Sequence, residues 1–482
     1  MAHTLSLFAD RVVLTDPSNH TLRIQPACLV VEGTSFTEVT PMQRDEWRQH
    51  CEANPTYQAI DLGDVLVTPA FINAHTHMAM SVFRGLDNSS ASMARNVVED
   101  LYFTVESQLS NEDIRSFARL GAYENLLHGV GTVWEHYYGG ASLADALVDT
   151  GLTGVVAPTL QDVAGPGTDS LSSQWDATLT IHESERYAQS GVHAAWGPHA
   201  TDTVSNELWH RIGKAAEDNN LPVHVHVAQS IEEYTFSMET HNLSPVARLQ
   251  HLDVLEQSPH SLLVHGIYIN QADFAHLKPG RHTLGFCPYS QAQYAFPANV
   301  IRWTEQEIPW IVATDCAACN DSMNVQKEMR FVHGMRVMGS TWAPEYQTFY
   351  ETGDLSDAKQ LQDHRTRSFH ATQAFASPEF LLSLVWSNPG RMHPKLKVGS
   401  LESGYLANFV IWDPMHPSMW PSMDPLRLLA LSDTTPAIQG MMVNGQWIGE
   451  RGDFARSIRE SDAYQDAVQD ANQRLKELQK RL

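Results

Sequence analysis

His75 and His77 stand two residues apart in FINAHTH (71–77), and His224 and His226 do the same in HVHVAQSIEE (224–233). Side chains alternate between the two faces of a strand, so each pair shares a face. One divalent ion can sit about 2 Å from two imidazole nitrogens presented in that way. His226 closes its apolar run, and Asp315 of IVATD closes another. Three imidazoles and a carboxylate (His75, His77, His226 and Asp315) form a donor set suited to Zn2+ or Fe2+. Such a centre could activate water for hydrolysis. Gln229 stands three residues after His226, where an acid could reach that water. An amide neither takes nor gives a proton at neutral pH.

The elements that must position these residues are legible as a rhythm. Short apolar, β-branched runs recur at 65–75, 131–138, 151–160, 191–200, 221–230, 261–269, 282–290 and 309–317. Between them lie segments such as 111–128 and 203–219, where apolar residues recur near a period of 3.6. Strand–helix alternation eight times over predicts a parallel (β/α)8 TIM barrel. His75, His77, Glu135, His136, His199, His226, His265 and Asp315 fall at or just beyond the C-terminal ends of the runs. That end of such a barrel carries the chemistry. Any one of these histidines alone would be read as a packed imidazole; polar ends on six apolar strands resist that reading.

The flanks differ. Residues 1–64 and 396–450 hold short strand-like pieces without helix alternation, including GSLESGYLANFVIWD and GMMVNGQWIGERG. They predict a small β-sandwich domain built from both flanks. The expected organisation is therefore a barrel over 65–395, a β-sandwich contributed jointly by 1–64 and 396–450, and a helical extension over 451–482.

Totals narrow the function. Lys and Arg number 32 against 56 Asp and Glu, a net charge of −24. That balance argues against nucleic acid and anionic membranes as partners and leaves a small-molecule substrate. No run approaches about 20 consecutive apolar residues. The opening MAHTLSLFADRVVL reads as a strand rather than a signal peptide. Five Cys in 482 residues make no disulfide framework, so a reducing cytoplasm is expected.

Several stretches together resemble the amidohydrolase superfamily: TPAFINAHTHMAMSVFRGL (68–86), GPHATDTVS (197–205), HVHVAQSIEE, LLVHGIYI, CPYSQ (287–291) and ATDCAACNDSMNVQKEMR (313–330). More narrowly they resemble the branch of S-adenosylhomocysteine/methylthioadenosine deaminases, guanine deaminase and s-triazine hydrolases. The resemblance implies His75, His77 and His226 as ligands of one divalent metal, most simply Zn2+, with Asp315 against the metal and its water. It implies His265 as the group that polarises the bond under attack and His199 as a substrate contact. Metal-activated water would attack an sp2 carbon and expel ammonia, an amine or another leaving group. The resemblance also implies a homodimer.

The chain departs from that pattern at identifiable positions. Gln229 stands where the family has a glutamate that moves a proton from the water to a ring nitrogen; losing such a group typically costs about 10²–10⁴-fold. Either Asp315 takes the proton alone, or Glu232 or Glu233 reaches in, or the ancestral reaction is lost. Asn96 and Val97 align with the Glu-Trp pair that holds ribose in adenosine-type members. Ser290-Gln291 replaces a usual Ser-Asn, and Asn408 a usual Asp, the latter a structural position.

Two further signals bear on the pocket. His136 and Tyr137, with Tyr138, are candidates to line a pocket for a planar substrate. Cys316-x-x-Cys319 has no second pair at zinc-ribbon spacing, and Asp315 rather than Pro precedes it, which excludes the other zinc-deaminase fold. These are loop-packing residues, with Cys316 near substrate. The expectation is a metal-dependent hydrolase of non-peptide C–N bonds, deaminating a small aminated heterocycle. A triazine-type dehalogenase or dealkylaminase, and a metal-bearing protein without deaminase activity, are the alternatives.

Overall fold

The computed structural model describes residues 4–16, 21–85, 98–293, 297–338 and 343–482. Asn96 and Val97, placed by resemblance opposite the ribose-binding pair, lie outside the described residues.

Both flanks feed one seven-stranded mixed sheet. The N-terminal flank supplies β1 (Thr4–Thr15), β2 (Leu22–Glu32), β3 (Ser35–Pro41) and β4 (Tyr57–Pro69). Alternate residues on these strands, such as Leu7, Leu29, Phe36 and Val67, meet Phe409 and Ile411 of the C-terminal flank in one core. Bulges near Ala9 and between Val30 and Val31 break the register of β1 and β2.

The next eight strand positions form a ring. They are β5 (Phe71–His77), β6 (Val130–Tyr137), β7 (Thr153–Leu160), β8 (Val192–Ala194) with β9 (Gly197–Pro198), β10 (Val223–Val227), β11 (Ser261–His265), β12 (His282–Phe286), and β13 (Trp310–Val312) with β14 (Asp315–Cys316). Every ladder between neighbours is parallel. Bridges Trp196↔Val223 and Ala200↔His226 join β8 and β9 to β10. Asp315↔Thr76 and Cys316↔His77 join β14 back to β5 and close the barrel. The chain then returns to the flank sheet with β15 (Phe409–Trp412), β16 (Ile438–Val443) and β17 (Gln446–Ile448), β15 pairing antiparallel with β4. Two helices, Phe454–Glu460 and Asp462–Arg481, end the chain. Among the described residues no helix is long and apolar enough to cross a membrane.

The sequence run at 65–75 is two strands rather than one. β4 ends at Pro69, which cannot donate to a ladder, and β5 begins two residues later in a different sheet. Ala70 donates its N–H to Asn408, whose amide also reaches Thr132 and Thr153. Asn408 therefore fastens the flank sheet to the barrel, a structural role.

Strand alternation builds two cores. Ile72, Ala74, Trp134, Val155, Leu262 and Ile311 fill the barrel. Val133, Val156, Val225 and Leu263 face the surrounding helices. The helices are cut to that purpose. Asn206–Asn219 starts at Ser205, whose Oγ accepts the Leu208 N–H, and it buries Leu208, Trp209, Ile212 and Ala216 along one stripe. It stops where Asn220 turns left-handed at φ 51°.

Candidate metal centre

The inner face of β5 changes parity. Ile72 and Ala74 point into the barrel, and the register with β6 slips between Asn73 and Thr76. After the slip His75 and His77 point inward, their rings 4.7 Å apart. His224 and His226 also face inward from β10, with Val223, Val225 and Val227 packed outward. β11 alone would send its terminal histidine outward, since Leu262 and Val264 face in. His265 instead adopts φ 76°, and its ring stacks on His226 at 5.4 Å. Asp315 is left-handed too, at φ 61°. Such φ values at residues other than glycine cost free energy and cluster at functional sites.

The ring nitrogens sort by partner. His75 Nδ1 pairs with His224 Nε2 at 2.8 Å, His77 Nδ1 with the His136 carbonyl, and His226 Nδ1 with the His199 carbonyl at 2.7 Å. Each imidazole is thus held at Nδ1, which leaves Nε2 as its ligand atom. His75 Nε2 is buried and has no hydrogen-bond partner. Asp315 Oδ1 lies 3.6 Å from His75 Nε2 and 3.3 Å from His77 Nε2, and Ser290 Oγ donates to Oδ2 at 2.7 Å. Ligand atoms of His75, His226 and His265 fall within 4.8 Å of one another, as do those of His75, His77 and Asp315. An orphaned, buried imidazole nitrogen among nitrogen and oxygen donors fits a divalent cation. Burial works against the Asp315 carboxylate, but His75 and His77 hold it ionised, well below the usual range.

This cluster forms one wall of a cavity of about 400 Å³. His136, Tyr137, His199, Gln229, His265 and Cys316 all line it. His136 is buried, with Nε2 3.3 Å from the Pro198 carbonyl, and His199 Nδ1 is 3.0 Å from Thr203 Oγ1. Cys316 Sγ is 3.1 Å from Cys319 Sγ. Trp134 belongs to the barrel core instead.

The two acids after Gln229 diverge. Glu233 is fully buried and accepts from Thr201 Oγ1 at 2.5 Å, Ala228 N at 3.0 Å and Gln229 N at 2.7 Å. It is committed to the backbone of the turn and does not line the cavity. Glu232 lines the cavity rim.

One contact and one group escaped the sequence reading. His224 touches His75 directly, a pairing across 149 residues with no local signal. Glu106, at the end of Val98–Glu106, reaches the cavity beside Tyr137. Burial pushes its carboxyl up to about 7, opposed by Tyr137 and His77. Nothing in VEDLYFTVE sets it apart from a surface acid.

The chain has recognisable relatives. A 5-methylthioadenosine/S-adenosylhomocysteine deaminase from Pyrococcus furiosus is 24% identical over 408 residues, 83% of this chain and 87% of that protein. An adenosine deaminase from Xanthomonas campestris with bound zinc superposes with a TM-score of 0.77 at 17% identity, covering 99% of this chain and 98% of that one. An atrazine chlorohydrolase from Arthrobacter aurescens complexed with zinc gives 0.76 at 16% identity, covering 98% and 100%. The sequence pattern of the Amidohydrolase family matches residues 66–340, more than half of the chain. With its inward histidines and aspartate at the C-terminal barrel mouth, the chain belongs to the amidohydrolase family, hydrolases of carbon–nitrogen bonds.

Proposed function

We propose that this protein deaminates a small aminated heterocycle with one divalent cation, most simply Zn2+, held by His75, His77, His226 and Asp315. The observation that supports the reading is that His75, His77 and His226 are each engaged at Nδ1, which leaves Nε2 as the ligand atom, and that the buried Nε2 of His75 has no hydrogen-bond partner. When bound, the cation supplies Lewis acidity and lowers the pKa of water toward neutrality.

The chain's own groups supply the rest. Asp315 is the proton acceptor, its second oxygen held by Ser290. His265, stacked on His226, is the donor that stabilises charge developing on the atom under attack. His199, His136, Tyr137 and Cys316 bound the substrate. Gln229 orients through hydrogen bonds and moves no proton. The commitment of Glu233 to backbone N–H groups disfavours it as a substitute, whereas Asp315 lies against the histidines.

A second reading, hydrolytic displacement of halide or alkylamine, is favoured by the same Gln229, because halide leaves without accepting a proton. A cytoplasmic homodimer is included in the proposal; five free cysteines support the reducing compartment, and family resemblance supports the dimer.

The test is a panel of amidines, aminoheterocycles and chloroheterocycles, with ammonia, amine and chloride measured separately and metal counted per chain. Ammonia release by protein carrying one ion supports deamination. Chloride release alone supports the second reading and overturns the first. Metal-loaded protein inert toward the whole panel overturns both.

A further inference from the structure

The cavity has a lopsided inventory of charge. Four carboxyl-bearing side chains line it, Glu106, Asp202, Glu232 and Asp315, and among the described lining residues there is no lysine or arginine. Asp315 is turned to the histidines and Ser290. Glu232 sits exposed at the rim.

Glu106 is placed differently. It enters the cavity from the helical segment Val98–Glu106, next to Tyr102 and Phe103, which line the same wall. Its polar neighbours are Tyr137 and, more distantly, His77. The Tyr137 hydroxyl is buried on the cavity wall and interacts with the Glu106 carboxyl. An acid and a hydroxyl side by side, next to Tyr102 and Phe103, form a receptor for a ligand bearing N–H donors. The acid accepts from them, and the hydroxyl donates to or accepts from a ring nitrogen.

We propose that Glu106 is a substrate-binding residue and that the natural substrate carries a cationic or N–H-rich edge, of amidinium or ring-amino type, and no phosphate or carboxylate. This rests on the hydrolase reading of the same cavity and narrows its substrate class. An anionic substrate would face Glu106, Asp202 and Glu232 with no arginine or lysine among the described wall residues to receive it. Glu106 takes no part in bond breaking. Its work is to select and orient the ring.

The experiment reads binding alone, on full-length zinc-loaded protein, with benzamidine and benzamide as probes of near-equal shape that differ in charge. Calorimetric titration gives the ratio of the two dissociation constants. Wild type is expected to favour benzamidine. Glu106→Gln is expected to lower that preference about tenfold or more, the usual worth of a charge-assisted hydrogen bond, while benzamide affinity stays put. Glu106→Asp should keep some of the preference. Melting temperature and zinc content identify any variant that has failed to fold. The wild-type arm stands without variants: protein that binds benzamide as tightly as benzamidine overturns the proposal. So does a folded Glu106→Gln with unchanged preference, or one that loses both probes equally, which marks a structural role. Since turnover is not read, failure here and failure of the substrate panel are separate results.

Discussion

His224 Nε2 lies 2.8 Å from His75 Nδ1, so one strand of the barrel sets the ring orientation of a histidine on another. An imidazole that offers Nε2 to a cation keeps its proton on Nδ1, and His224 is there to accept it. His224→Phe preserves bulk and removes the acceptor. Cation affinity should fall about 10–100-fold, measured by competition with a chromophoric chelator. Wild-type affinity in the variant would show that the contact is only packing.

Gln229→Glu restores an acid beside the cluster. Release of ammonia, which leaves only when protonated, should accelerate by about 10²–10⁴-fold. Chloride release should hardly change. Equal effects on both leaving groups would mean that residue 229 acts on binding and not on proton movement.

Glu233→Ala should destabilise the fold without touching the cluster. The buried Ala228 N–H, the half-buried Gln229 N–H and the Thr201 hydroxyl lose their acceptor. Ala228 is already left-handed at φ 53°. A loss of about 2–4 kcal/mol in urea unfolding is expected. A variant as stable as wild type would show that the turn finds other acceptors.

Acid sensitivity has a source outside the cavity. The rings of His193 and His393 lie 5.0 Å apart, tilted by 36°. Burial holds His193 down to about 4, helped by Lys395, and His393 down to about 3, helped by His193. Below about 6.5 the unfolded chain binds protons that the native chain refuses, so stability falls as pH drops through that window. At pH 5 each group removes on the order of 2 kcal/mol. The double variant His193→Gln/His393→Gln should lose correspondingly less stability between pH 7 and 5. An identical pH profile would refute the assignment.

Much of the fold is legible in residue types and strand period. Eight apolar runs became eight ring positions because parallel strands buried on both faces must be apolar throughout. The polar residues at their ends therefore stood out; ligand atoms of His75, His226 and His265 lie within 4.8 Å of one another, as do those of His75, His77 and Asp315. What sequence could not carry depends on backbone detail. The slip in β5 that turns His75 inward, and the left-handed φ that turns His265, leave no compositional trace. The same holds for contacts between distant segments, such as His75 with His224, and for the arrival of Glu106 beside Tyr137. A run reading also merged β4 with β5, because both are apolar and only Pro69 separates their sheets.

The ring closes on a narrow seam. β14 meets β5 through two residue pairs, Asp315↔Thr76 and Cys316↔His77, and those pairs adjoin the donor atoms themselves. In synthesis the first histidines emerge long before the aspartate that completes their set. A cation shared by His75, His77 and Asp315 would tie the two edges of that seam together as well as serve the reaction.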